Sequence, residues 1–466
     1  MKKYYTLIRT LAFAVILTGC GKIEPETSSE PKESPREWKV SIQASTSNGT
    51  KALSESGNTI SAAWEAGDVV YICNSSNTFG QMTAESSGTV TTLSGTVTKT
   101  MTAGKTYTLR YLQKGENLLN LRSQKGTLAD LAKNHDMAEA TVTVKNVNGT
   151  EVVFEENTVN FESKISIVKF TFDRVINYVS VICSNLKTYV RPGYSSNYSF
   201  IEVNPEEATQ NVYVAMSTLE AQKSIFLFLA KDANGFYYIA AKRAQVENGK
   251  NYGVNVSLRS MPDYVDLGIV RDGKSVCWGT KNLGASSPGE AGNYYAWAET
   301  STKTSYSWDN YAYGSYSWIT KYDPDRPDQG VVDGLASLLP EDDAATSALG
   351  EKWRTPSLND FNDLLNSANT EAILSGAYGR WGYTFLSKID GYTGRFIFLP
   401  VGGYYKDDTR QDGGYGYYWS GQIDQTSWTS SSFANTFKFS NSIYSSPSTS
   451  RMERAYGLSV RPVYIQ

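Results

Sequence analysis

Two hydrophobic rhythms run along the chain. From Trp38 to about Leu258, short β-branched or aromatic runs recur: 69–72 (VVYI), 105–109 (KTYTL), 165–172 (ISIVKFTF) and 224–230 (SIFLFLA). Gly, Asn, Ser and Asp separate them, which is the signature of strands and turns. In ISIVKFTF, Val168, Phe170 and Phe172 alternate with Lys169 and Thr171, the period of a half-buried strand. One short helix is predicted at 127–133 (TLADLAK), with Thr127 as N-cap and Asp130 in the dipole-favoured first turn. Many strands and few helices predict two β-sandwiches, 37–146 and 147–260, with a break near residues 145–150.

Beyond Met261 the rhythm changes. Eight of the ten tryptophans lie there, with dense Gly and Tyr, and no fixed-period repeat is visible, so 261–466 reads as one globular unit. Within it, Glu341, Asp342 and Asp343 read as the acidic first turn of a helix reaching Leu349 and ended by Gly350. Ser357 with Asp360 then caps a second helix, whose apolar stripe is Leu358, Phe361, Leu364 and Leu365. Pro356 keeps Thr355 out of that helix. Between the two helices, Trp353 reads as a core plug and Arg354 as the partner of a loop carboxylate or carbonyl.

The N-terminus alters the picture most. Lys2 and Lys3 precede an apolar run, 11–17 (LAFAVIL), too short to span a bilayer. It ends in Leu17-Thr18-Gly19-Cys20, which resembles the bacterial lipobox. That resemblance implies a signal peptide over 1–19, lipidation of Cys20 and anchoring to the outer membrane. Residues 20–36 (CGKIEPETSSEPKESPR) are rich in Pro, Ser and Glu and read as a disordered tether. Acidic residues just after the lipidated cysteine resemble the surface-export signal of Bacteroidetes-type lipoproteins, which favours a surface-exposed location.

Charge and cysteine content exclude several classes. Lys plus Arg is 44 and Asp plus Glu is 47, without blocks of one sign, so nucleic acid is not an expected partner. With Cys20 lipidated, Cys73, Cys183 and Cys277 remain, an odd and widely spaced set that predicts neither a disulfide framework nor a zinc site.

Two further resemblances carry the domain reading. Thr50-Lys51-Ala52, Trp64-Glu65-Ala66-Gly67-Asp68-Val69-Val70 and the closing run 249–256 (GKNYGVNV) resemble the fimbrillin-like pilins and adhesins of Bacteroidetes. The resemblance spans about 38–258 and implies two transthyretin-like β-sandwiches. It also implies, for polymerising members, cleavage after a basic residue that frees a groove for a partner's strand. Arg36 and Lys51 are the processing candidates, and other fimbrillin-like subunits the partners. In the C-terminal half, 263–268 (DYVDLG), 282–285 (NLGA), 292–299 (GNYYAWAE), 340–345 (PEDDAA), 353–356 (WRTP), 398–403 (FLPVGG), 418–420 (YWS) and 459–463 (SVRPV) resemble the Fibrobacter-type major paralogous (FISUMP) domain. This implies an α+β, C-type-lectin-like fold.

Catalytic chemistry finds little footing. The one histidine, His135, reads as a surface-loop residue, and no nucleophile motif accompanies it. The fold also resembles that of formylglycine-generating enzymes, whose late cysteine pair is absent here. Asp407, Asp408 and Asp412 read as solvated loop carboxylates. No cofactor is expected; the one ion considered is calcium, for which Asp323, Asp325, Asp328, Glu341, Asp342 and Asp343 supply hard oxygen ligands on loops. The better functional signal is aromatic. Trp308, Tyr311, Tyr313, Tyr316 and Trp318, with Tyr404, Tyr405 and Tyr415, sit in Gly- and Ser-rich segments suited to adaptable recognition of a glycan or a surface protein. The alternative is that these rings merely pack a helix-poor domain. The combined expectation is a lipid-anchored surface adhesin or binding protein, pilus-associated or at a pilus tip. Its rivals are a carboxylate-dependent carbohydrate-active enzyme and a structural pilus or surface-layer component.

Overall fold

The computed structural model describes residues 37–48, 53–56, 59–75, 77–112, 119–190, 198–411, 413–425 and 431–466. The leader, Cys20, the tether with Arg36, the 50–52 motif with Lys51, Asp412 and Trp428 lie outside the described residues. The protein is mainly β with a small α content. Among the described residues no helix is long and apolar enough to cross a membrane.

The first unit is built on Trp38–Asn48, which pairs antiparallel with Val90–Val97 on one side and parallel with Thr158–Ser163 on the other. Pairing continues through Met137–Asn148, Thr106–Leu112, Val69–Cys73 and Thr78–Ala84 and returns to Val90–Val97, so the hydrogen bonding closes on itself. Val40, Ile42 and Ala44 point inward, alternating with exposed Lys39, Ser41 and Gln43. Each large apolar side chain buried this way contributes roughly 1.5–3 kcal/mol. Trp64 fills the interior with its ring edge-on to Tyr111 and Phe161. Gly67 follows at φ 95°, a backbone region open to glycine, and Asp68 accepts from the Glu65 amide at 2.9 Å to close the turn into Val69–Cys73.

The break expected near 145–150 is not a domain boundary. Asn148 pairs with Glu151 across Gly149-Thr150, with Gly149 at φ 60°, so Gly149-Thr150 turns a two-residue hairpin. Val152, Phe154, Val159 and Phe161 then return to the first core, and the second core starts only at Val168. A hairpin turn and a linker share the same small polar residues, which is why the sequence pattern misplaced the limit.

Helix Leu128–Asn134 is capped by Thr127 as expected. His135, at its end, is buried rather than on a surface loop: its Nδ1 lies 3.0 Å from the Asn120 carbonyl and its Nε2 3.5 Å from Asp130. Burial raises the Asp130 pKa, but hydrogen bonds from His135, the Lys125 amide and Asn134 outweigh it and hold the carboxyl down at about 2.

The second unit pairs a three-stranded sheet (Thr209–Met216, Ser166–Ile176, Asn251–Val256) with a six-stranded one. In the latter, Lys223–Lys231 lies between Tyr237–Gln245 and Tyr178–Ile182. Phe226, Phe228 and Ala230 face the inner core, while Leu227 and Leu229 face outward onto Ile373, Leu386, Phe396 and Phe398 of the C-terminal half. A sheet covered on both faces needs apolar residues at every position. Residues Ser123–Gln124 leave the first unit to pair with Phe200–Val203 at the sheet's far edge.

The C-terminal half docks on that outer face through Thr370–Ala377 and its hairpin partner Arg380–Ser387. Ser180 donates to the Gly376 carbonyl at 2.6 Å, and a Cβ on Gly376 would strike the Phe200 ring. Glu202 accepts from Tyr178 and from the Gly379 amide, while Tyr178 and Tyr378 stack. Arg122 lies 4.4 Å from the Trp381 ring, close to Tyr198 and Phe200, and donates to Tyr189 at 3.1 Å. Within the C-terminal half, Val463–Ile465 pairs with Lys274–Gly279 and Trp353–Arg354, so the two ends of this stretch share a sheet.

Candidate ligand-binding face

The two helices of the C-terminal half position its loops. Asp343 caps Ala344–Leu349 and also accepts from the Thr355 amide and hydroxyl, both at 2.8 Å. Ser357 and Asp360 form the reciprocal capping box of Leu358–Leu365, burying Phe361 and Leu364. Arg354 donates to Asp360 at 2.6 Å, and those hydrogen bonds hold the carboxyl below its usual value against the burial that raises it. Trp353 is half-buried rather than a core plug, because its two-residue strand lies at a sheet edge with Tyr464 and Tyr264 as its aromatic neighbours.

The predicted aromatic residues separate into an inner and an outer set. Tyr311 is buried, its hydroxyl donating to the Trp297 carbonyl and accepting from Arg454 Nε, both at 2.9 Å. Burial pushes its pKa to about 12. It is therefore core packing and not a surface contact. Tyr313 donates to Asp342 at 2.7 Å beside Tyr322 and Lys321, which also donate to that carboxylate. Arg454, wholly buried, ties this loop down: it donates to the carbonyls of Tyr322, Ser431 and Lys321 and lies 4.7 Å from the Trp297 ring.

The outer set begins at the hairpin Gly314–Ser315/Trp318–Ile319. Gly314 is at φ 108°, and a Cβ there would meet the Trp318 carbonyl at 2.2 Å, so the tight turn requires glycine. Ser432 fixes the tip by donating to the Tyr316 carbonyl at 2.5 Å. On this held turn Tyr316 is 51% and Trp318 49% exposed. Alongside, Val331 donates to the Ile319 carbonyl at 2.9 Å, and Val331 and Val332 are exposed as well. Tyr316 meets Trp308 and Phe433 edge-on.

Glu453 joins this hairpin to the second aromatic stretch. It accepts from Trp308 Nε1 at 2.7 Å and from the Tyr456 hydroxyl at 2.9 Å. Tyr456 stacks on Tyr404, Tyr404 meets Tyr417 edge-on, and Tyr417 stacks on exposed Tyr415. Tyr405 instead packs inward on Tyr294 and Tyr306. The two stretches read separately in the sequence thus form one aromatic strip. Glu453, Tyr456, Phe433, Val331 and Val332 were not foreseen. Only the adjacent valines in a polar loop left a local trace; the others meet the strip through sheet register.

The carboxylates proposed for calcium do not converge. Asp323 is buried and accepts from the Arg326 amide and Ser431, Asp342 is held by the tyrosine pair and Lys321, and Asp343 caps a helix. Asp325, Asp328 and Glu341 are exposed. Among the described residues no group of three or more His, Cys, Asp or Glu side chains could hold a metal. These carboxylates accept hydrogen bonds within loops, a role their composition alone does not separate from metal binding. Cys73, Cys183 and Cys277 are buried thiols, and burial pushes the latter two to about 11.

No family model matches the chain, and neither does any curated protein. Among solved structures, the tip fimbrial protein Mfa3 of Porphyromonas gingivalis, determined with a C-terminal truncation, aligns over 49% of this chain and 96% of its own. The identity is 10% and the TM-score 0.28. A fimbrial assembly protein of Parabacteroides distasonis aligns over 52% and 96% at 8% identity, with a TM-score of 0.28. A candidate cell adhesion protein of Bacteroides uniformis aligns over 48% and 97% at 15% identity, with a TM-score of 0.29. Scores at this level do not establish a shared fold.

Proposed function

We propose that the chain is a surface lipoprotein, anchored through Cys20, that acts as an adhesin or binding protein. Its β-rich N-terminal half is a stalk, and its C-terminal half presents the outer aromatic strip to a glycan or a surface protein. One observation carries this reading: Tyr316 and Trp318 stay half exposed on a hairpin whose tip is held by buried Ser432 and whose following residues, Lys321 and Tyr322, are held by buried Arg454. A soluble protein gains nothing in stability by holding two large rings in water, whereas a rigid, exposed ring loses little conformational entropy on contact. The reading assigns no catalytic residue. The full chain applied to glycan and surface-protein arrays is expected to bind at least one class, and Trp318→Ala to weaken that binding tenfold or more. Binding unchanged by Trp318→Ala, or no binding by the unsubstituted chain, would sink it.

The position of Trp38–Asn48 supports a second reading, as a polymerising subunit. This strand pairs on both sides and precedes Lys51, so cleavage there would leave a groove lined by the partners of Val40, Ile42 and Ala44. SDS-resistant ladders that vanish in Lys51→Ala are the expected result. Ladders that persist when both Lys51 and Arg36 are replaced would rule it out.

A further inference from the structure

We infer that a second, independent site lies at the WRTP corner, and that it takes one neutral sugar ring. A cleft of about 320 Å³ opens there, lined among others by Asp263, Thr280, Lys281, Leu349, Trp353 and Pro462. That is the size of a small-ligand pocket. Its floor is rigid. Wholly buried Arg461 donates to Asn282 at 2.8 Å and to the carbonyls of Gly279 and Phe398, both at 2.9 Å. Thr280 is tied to the Pro262 carbonyl at 2.6 Å.

The walls have an unusual chemistry for an exposed corner. Trp353 lines the cleft and is only partly buried, and Leu349 is 45% exposed despite being apolar. Opposite in character are Asp263 and Lys281, whose charged groups make no ion pair or side-chain hydrogen bond among the described residues. A carboxylate only accepts hydrogen bonds and an ammonium only donates them, whereas a hydroxyl does both. A pyranose carries hydroxyls around its rim and a C–H face on one side. It can therefore satisfy Asp263 and Lys281 together while its apolar face lies on Trp353 and Leu349. A simple anion would meet Asp263 and a simple cation Lys281, each at a like charge.

The test uses the full chain with three free probes, glucose, galactose and N-acetylglucosamine, followed by saturation-transfer NMR. Transfer to the ring protons of at least one sugar is expected. Asp263→Asn and Lys281→Ala should each weaken it tenfold or more, with near-ultraviolet dichroism unchanged, and replacement of exposed Tyr444 in Tyr444→Ala should leave it intact. No transfer to any of the three sugars overturns the site, as does transfer unaffected by the Asp263→Ala/Lys281→Ala double substitution. Displacement of the sugar by glycine would reassign the cleft to a zwitterion. Loss of transfer in Trp318→Ala alone would place the sugar on the exposed hairpin, rejecting this site while leaving the adhesin reading standing.

Discussion

Replacing Arg454 with alanine will destabilise the C-terminal half by about 3–4 kcal/mol and loosen the aromatic loop. The guanidinium is wholly buried and serves Tyr311 and the carbonyls of Lys321, Tyr322 and Ser431. Removing it orphans those acceptors, and a buried unsatisfied group costs roughly 1–3 kcal/mol, not additively. The cation–π contact with Trp297 is lost as well. Denaturant unfolding followed by tryptophan fluorescence measures the shift, and limited proteolysis within residues 305–333 reports the loop. Lys250, which pairs with Glu247 at the surface, is the control, with little expected effect in Lys250→Ala. A matching small effect in Arg454→Ala would mean that the loop is held by something else. Because the hairpin with Trp318 grows from this loop, the same substitution should weaken ligand binding without touching the ligand.

Arg122→Ala will cost about 2–3 kcal/mol where the N-terminal half meets the C-terminal half. Its guanidinium stacks near Trp381, Tyr198 and Phe200 and donates to Tyr189. A desolvated cation–π contact is worth about 2 kcal/mol and a charged hydrogen bond roughly 1.5–3 kcal/mol. Its Nε lacks a partner, which offsets part of that. Arg122→Lys should recover little, since an ammonium cannot stack as a plane. Hydrogen exchange is the readout: amides of Phe200–Val203 and of the 376–380 turn should lose protection together. Faster exchange in only one of the two segments would show that Arg122 does not couple them.

The sequence displayed the β architecture through its two kinds of strand. ISIVKFTF alternates because one face of Ser166–Ile176 is core and the other is not, while SIFLFLA is apolar throughout because both faces are covered. Capping residues were equally legible at Thr127 and Ser357, since a cap is a local hydrogen bond. Non-local facts were not. Gly149-Thr150 turns a hairpin only because 151–154 finds its partner strand, and Tyr311 is buried against Arg454, far along the chain. The aromatic strip was half visible: its rings stood out by composition, but Glu453, which joins them, is one acidic residue among 47 acidic residues until the strands are aligned.

The outer face of the six-stranded sheet has a practical consequence. Leu227 and Leu229 lie against Ile373, Leu386, Phe396 and Phe398, so neither half of the chain has a finished surface by itself. A C-terminal fragment produced alone would carry an oily facet into solution and self-associate, and any binding it showed would be suspect. The C-terminal half is thus not a detachable module, and it should be studied and purified with the N-terminal half attached.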